Sequence, residues 1–396
     1  MKMPLIVQKF GGTSVGSIER IQHVAEKIIE ARNEGNQIVV VVSAMSGETN
    51  RLVNLATQID SVPNARELDV LLTAGEQVSM ALLAMTLHKL GYEATSMTGY
   101  QARIHTDSNH NNATIERIDT APIQALLDDG LIVIVAGFQG INAKGDITTL
   151  GRGGSDTTAV ALAGALQAKE CQIYTDVDGV YSCDPRVVKH SKKLDTLDFP
   201  SMEEMARRGA KVLHLPCVQY AWQHNVPLRV LSSFEQGEGT LIAGDQCLND
   251  ISGLAIQRDM VRIECLNEDL DSFLSHCQLL GIEVCSVIEE TDRAALIIKQ
   301  DISAKLKLVF DEKIRNSERV SLLTVVGSRT QEIVVSSHGL LSEGEIDVQH
   351  HLLQQQSLTL VVSPTQVDMA ANILHNAYIV AREAQGYQKK KCILVK

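Results

Sequence analysis

The chain has 396 residues, 36 of them basic and 48 acidic, for a formal balance of −12. That length exceeds what one hydrophobic core usually serves and predicts two or three domains; that charge is a poor footing for affinity built on many phosphates, so nucleic acid is excluded as a partner and a small molecule favoured. The eight cysteines, Cys171, Cys183, Cys217, Cys247, Cys265, Cys277, Cys285 and Cys392, form no Cys-x-x-Cys pair and have no zinc-type histidine spacing, which predicts reduced thiols, mostly packing.

The first apolar stretch, after Met1, is too short for a signal peptide, and no later apolar run reaches the length of a membrane span, so a cytoplasmic chain without membrane contact is expected. Roughly the first 240 residues alternate short β-branched runs with amphipathic stretches, the pattern of a mostly parallel sheet covered by helices. A strand over Leu5 to Gln8 runs into Lys9-Phe10-Gly11-Gly12-Thr13-Ser14 and then a helix over Ser17 to Asn33. Glycines that admit close approach, a helix N-terminus and a lysine make a phosphate cradle, although a simple strand-to-helix turn has the same spelling. The run lacks the order of the P-loop and of the dinucleotide fingerprint.

A strand follows over Gln37 to Ser43, then a helix over Arg66 to Leu90 and a strand over Leu131 to Ala136. Beyond that strand, Gly151-Arg152-Gly153-Gly154-Ser155-Asp156 opens a helix over Ser155 to Ala168, placing a guanidinium beside a second helix N-terminus; a glycine-rich turn with a capping box is the plainer reading. The strand Glu170 to Thr175 passes into Asp176-Val177-Asp178-Gly179-Val180-Tyr181 and Asp184-Pro185-Arg186. Ligands in open parallel sheets bind outside the carboxyl ends of strands, where Asp176 falls, and an acidic loop closed by Asx turns is the alternative. The last strand of this region is Pro227 to Leu231.

Composition shifts over Glu235 to Gly253, a candidate boundary. Beyond it the expected order is strand (Ala255 to Cys265), helix (Leu270 to Leu280), strand (Ile282 to Glu289), strand (Ala294 to Lys299) and helix (Ser303 to Lys313). A similar order then repeats: strand (Val320 to Val326), a less regular helical segment (Thr330 to Leu341), strand (Ile346 to Leu353), strand (Ser357 to Ser363) and helix (Gln366 to Ala384). Two βαββα units suggest a duplicated ferredoxin-like module. The expected domains are residues 1–245, 254–318 and 319–396.

Taken in order, the three N-terminal motifs resemble the amino-acid kinase family and within it the aspartate kinases. The resemblance implies an α/β fold, a mostly parallel sheet sandwiched by helices and followed by two ferredoxin-like ACT modules. It implies ATP as co-substrate, with magnesium carried mainly by phosphate oxygens and no protein metal ligand, and L-aspartate as acceptor. By similarity Lys9 would lie on the transferring phosphoryl group, Asp156 would orient the catalytic network, and Gly11 and Gly12 would hold phosphates. Arg152 resembles the clamp on the substrate's α-carboxylate and Glu76 the partner of its ammonium group, with Ser43, Thr49 and Ser155 as further substrate contacts. Thr175, Asp176, Tyr181, Arg186 and Lys211 resemble the nucleotide site. On these roles, Lys9→Ala would abolish turnover with little effect on folding.

The C-terminal modules imply an amino-acid effector, lysine or threonine, and a homodimer or higher homo-oligomer. However, Gly281 to Val287 and Gly344 to Gln349 depart from the family's effector pattern. A glutamate or acetylglutamate kinase is the nearest alternative enzyme, and Arg152 together with Glu76 argues against an N-acylated substrate. A non-catalytic sensor on the same scaffold would be expected to lose Lys9 or Asp156, and both are present.

Overall fold

A computed structural model describes residues 3–247 and 249–381. Cys392, the end of the expected helix over Gln366 to Ala384 and the close of the 319–396 module lie outside the described residues. The chain divides into two compact units. The first runs to Val180 and adds Lys193–Glu203 and Lys211–Gln246; the second comprises Tyr181–Lys192, Glu204–Ala210 and the chain from Cys247 onward.

The first unit contains, in chain order, β1 (Leu5–Phe10), α1 (Ile18–Asn33), β2 (Gln37–Val42), α2 (Glu48–Ile59), α3 (Ala65–Lys89), β3 (Ala94–Met97), β4 (Ile104–Thr106), β5 (Ile115–Ile118), α4 (Ala121–Asp128) and β6 (Ile132–Ala136). It continues with β7 (Gln139–Ile141), β8 (Ile147–Thr149), α5 (Gly154–Ala165), β9 (Glu170–Thr175), β10 (Thr196–Leu197), α6 (Phe199–Arg207, its end from Glu204 belonging to the second unit), α7 (Leu215–Gln223), β11 (Leu228–Ser232) and β12 (Thr240–Ile242). The central sheet has the order β10-β12-β11-β9-β1-β2-β6-β3 and is parallel except where β12 pairs antiparallel with β11. A smaller sheet, β5-β4-β7-β8, carries β8 toward the turn that holds Arg152.

β1, β2 and β6 are buried along their whole length because both faces of the sheet are covered, which is why they read as continuous β-branched runs. Polar side chains in such a strand need partners: Gln8 donates to Gln172 Oε1 at 2.9 Å, and Lys9 pairs with Asp156. The expectation that no apolar run is long enough to span a bilayer needs correcting for α3. Its 25 residues pass that test by length and composition. In the fold α3 is a core helix, with Met80, Leu83, Ala84 and Leu87 packed on Ile21, Val40 and Ile134, and with Asp69 and Glu76 also buried.

The second unit is built on β13 (Gly253–Leu266), α8 (Leu270–Leu279), β14 (Val284–Glu289), β15 (Arg293–Lys299), α9 (Gln300–Phe310), β16 (Asn316–Val326), α10 (Val334–Glu343), β17 (Val348–Gln354), β18 (Ser357–Val362) and α11 (Val367–His375). Its six strands form one antiparallel sheet, β14-β15-β13-β16-β18-β17. The two repeats are joined through their first strands. β13 shifts register between Gln257 and Met260, where Asp259 takes a φ of +56°. Before the shift Leu254 faces the core under α10 and α11; after it Val261 and Ile263 face the core under α8 and α9. β16 crosses the 318/319 position in the same way, pairing with β13 along its length and with β18 from Ser321. Ile288 on one outer strand and Leu352 on the other join a single apolar cluster with Met260, Ile297 and Leu322, so a continuous apolar face runs across the sheet opposite its helices.

Candidate functional site

The carboxyl ends of β1 and β2, the start of α2, the middle of α3 and the turn entering α5 surround a cavity of about 530 Å³. Lys9, Gly12, Ser43, Thr49, Glu76, Arg152, Ser155 and Asp156, eight of the residues singled out in the sequence, line it, together with Phe138 and His214.

Lys9 is the fifth residue of β1, in register with Val41 and Ile173, so its backbone is fixed from both sides. Its ammonium nitrogen lies 2.6 Å from Asp156 Oδ1, and each side chain is about one-tenth exposed. Because the pair opens on the cavity, Lys9 Nζ remains available to a second anion.

The two helix N-termini that open on this cavity are those of α2 and α5. Gly47 and Gly153 are their N-cap residues, both left-handed, and neither helix has a side-chain cap bond. Backbone carbonyls take the Glu48, Gly154 and Asp156 amides, which leaves those of Thr49 and Ser155 as donors for an anion, reinforced by the positive end of the helix dipole. Two expectations are corrected here. The alternative of a capping box in this run is not met, since Gly153 is the N-cap at φ +73° and no side chain caps α5. A Cβ there would fall 2.4 Å from the His214 ring, so only glycine fits. And the start of α1, expected to cradle the phosphate, does not line the cavity; Ser17 Oγ caps it by accepting from the Arg20 amide at 3.3 Å. The Gly12 turn, not α1 itself, reaches the cavity. The neighbouring Gly11 amide is occupied by Tyr174 O at 3.4 Å.

Glu76 faces the cavity from α3. Its Oε1 accepts from the Ala44 amide at 3.1 Å, while its Oε2 is buried without a partner. Burial pushes its pKa up to about 7, with the Ala44 N–H pulling the other way. The ordinary value is 4.5. Between these values the folded chain holds a proton that the unfolded chain has released, so this group's burden on stability is absent below the unfolded value and grows as pH rises toward 7. Glu76→Gln removes the ionisation. It should raise the stability of the unliganded protein by about 2 kcal/mol at pH 8 and by almost nothing at pH 4. Calorimetric melting at both pH values checks this, and equal shifts at the two would refute it.

Arg152, in the turn before α5, is exposed and has no ion-pair partner among the described residues. The cavity therefore presents Lys9 and Arg152 as cations and Glu76 as an under-satisfied acceptor. That set matches a ligand carrying anionic groups and one cation.

The other expected residues lie elsewhere. Thr175 and Asp176 sit at the carboxyl end of β9, where Thr175 Oγ1 lies 3.2 Å from Asp176 Oδ1, and Lys211 is exposed before α7; none of the three lines this cavity. Tyr181 and Arg186 belong to the second unit, where Arg186 forks onto Asp184 at 3.0 and 2.8 Å. His214, Phe138 and the α2 N-terminus were missed as site elements. Phe138 and His214 stand in runs that carry other candidate residues, Gly137 to Gly140 and Gly209 to Leu213, but their own side chains read as packing, and only Leu52 and Ala56 of α2 are buried, too few for a clear helical period.

Residues 4–232 match the model of the amino acid kinase family. The chain is 45% identical to the aspartate kinase of Pseudomonas putida, covering 95% of this chain and 98% of that one. It is 42% identical to an aspartokinase of Geobacillus stearothermophilus over 96% and 99% of the two chains. Among solved structures, E. coli aspartokinase III in complex with aspartate and ADP superposes with a TM-score of 0.78 at 25% identity, covering 94% of this chain and 99% of that one.

Proposed function

We propose that this chain, which belongs to the amino acid kinase family and within it to the aspartate kinases, transfers the γ-phosphoryl group of ATP to the side-chain carboxylate of L-aspartate. The observation that carries this reading is one cavity holding the Lys9–Asp156 pair, the unpaired Glu76 oxygen and Arg152 together. A β-carboxylate oxygen of aspartate attacks the γ-phosphorus, the bond to the β–γ bridging oxygen breaks, and 4-phospho-L-aspartate and ADP result.

The acceptor is already ionised at neutral pH and needs no general base, so the protein's contribution is placement and charge. Lys9 lies against the transferring phosphoryl oxygens, which gain interaction as charge shifts in the transition state. Asp156 holds the lysine, and the α2 and α5 N-termini add amide donors. Arg152 takes the α-carboxylate, Glu76 the ammonium group, and Ser43, Thr49 and Ser155 complete the substrate contacts. Gly11, Gly12, Thr175, Asp176, Tyr181, Arg186 and Lys211 are assigned to the nucleotide on family resemblance. Magnesium arrives with ATP, borne mainly by phosphate oxygens; among the described residues no group of three or more His, Cys, Asp or Glu side chains could hold a metal ion.

On this reading the protein works in the cytoplasm, and its product heads lysine, threonine and methionine synthesis. The second unit would serve as an amino-acid-responsive regulatory and oligomerisation module. An ADP-release assay offering aspartate, glutamate and N-acetylglutamate, repeated with lysine, threonine or methionine added, tests both statements. Turnover with none of the acids overturns the first, and indifference to every amino acid overturns the second.

The state of Glu76 adds a pH signature. An ammonium group needs the ionised carboxylate, so the KM for aspartate should stay flat above about pH 7 and rise about tenfold per unit below it, with the KM for ATP moving less. A flat aspartate KM from pH 8 to pH 5.5 would remove Glu76 from the substrate site.

A further inference from the structure

The next inference rests on the substrate reading above and concerns Asp69, which lies outside the cavity lining. Asp69 is on α3, two turns before Glu76, and its side chain is fully buried. A carboxylate so placed needs its lone pairs filled. Thr149 Oγ1 donates to Oδ1 at 2.5 Å, the Asn111 amide donates to Oδ1 at 3.0 Å, and His110 Nδ1 lies 2.6 Å from Oδ2.

These partners come from the two segments that support the Arg152 turn. Thr149 ends β8, three residues before Arg152. Residues 110 and 111 belong to a loop on which Gly151 rests: its φ of +73° favours glycine, and a Cβ there would fall 2.8 Å from Asn112 Oδ1 and 3.2 Å from Asn111 O. The Ala113 amide ties this loop to Thr149 O at 2.8 Å. Arg152 itself has no ion-pair partner among the described residues, so its placement depends on the turn that carries it.

We propose that Asp69 is a positioning residue that, through Thr149 and His110, sets the separation between Arg152 and Glu76 and thereby the length of amino acid accepted. One rigid helix then serves both poles of the substrate. It presents Glu76 directly, and about 10 Å away along its axis it anchors the turn bearing the guanidinium. A loosened anchor lets the guanidinium drift, which weakens aspartate and lessens the penalty against glutamate, one methylene longer.

The test compares Thr149→Val, which keeps shape and removes the hydroxyl, with Thr149→Ser, which restores it. Thr149→Val should raise the aspartate KM about tenfold, leave the ATP KM within about twofold and narrow the aspartate-to-glutamate preference in kcat/KM about tenfold. Thr149→Ser should return all three toward wild type. An unmoved aspartate KM and preference, parallel rises in both KM values, or failure of serine to rescue would each overturn the proposal. Should Thr149→Val not fold, His110→Ala removes another of the contacts from a partly exposed position. It should raise the aspartate KM about threefold, and an unchanged value overturns the proposal equally. An active wild type with unmoved variants sinks this inference alone; a wild type inactive toward aspartate sinks the substrate reading, and this inference with it.

Discussion

Lys9→Ala should lower turnover about 10³-fold or more, because it deletes a cation whose backbone is clamped in the central sheet and whose charge faces the cavity. The loss should fall on kcat, since the contact strengthens as the phosphoryl group moves. Sequence alone implies little effect on folding, and the structure revises that expectation. Lys9 sits 2.6 Å from Asp156, and removing it strands a nearly buried carboxylate. Breaking such a pair destabilises, although a cavity open to water softens the cost to about 1–3 kcal/mol. Lys9→Ala/Asp156→Asn should recover most of that stability and none of the turnover. Melting curves and single-turnover rates on the two variants separate the effects, and a single variant retaining more than about a tenth of wild-type kcat would end the assignment.

The parts of this site that could be read from the sequence are those where one residue type contradicts its surroundings. Lys9 in a fully buried strand and Arg152 among glycines are of that kind, and both reach the cavity. What escaped depends on residues distant in sequence. The N-cap of α5 is Gly153 and not a serine because the ring of His214, from a separate helix entry, occupies the space. Asp69 lies in an apolar helical window where an aspartate reads as a solvated side chain, and only the fold brings Thr149 and His110 to it.

The strands followed the same rule. β1, β2 and β6 appear as buried runs; β9, expected as another, instead alternates, with Cys171 and Ile173 buried and the residues between them only partly covered, and β4, β7 and β8 have three residues each, too short for a period to show. The repeat in the second unit was visible as a repeated order of elements. The sharing of β13 and β16 between its halves was not, because pairing partners leave no mark on a strand's own pattern.

Arg152→Ala should raise the aspartate KM about 100-fold while the ATP KM and the melting temperature stay nearly fixed. The side chain is exposed and makes no ion pair among the described residues, so folding loses little with it. A forked pair of charge-assisted hydrogen bonds to a carboxylate contributes about 3 kcal/mol, and that interaction is the same in ground and transition states. Its removal therefore weakens binding without slowing the chemical step at saturating aspartate. Arg152→Lys keeps the charge and loses the fork, which places it between alanine and wild type. Equal changes in the two KM values would mean that Arg152 serves the turn and not the substrate. A large drop in kcat at saturating aspartate would move it from the substrate's α-carboxylate to the phosphoryl group, beside Lys9.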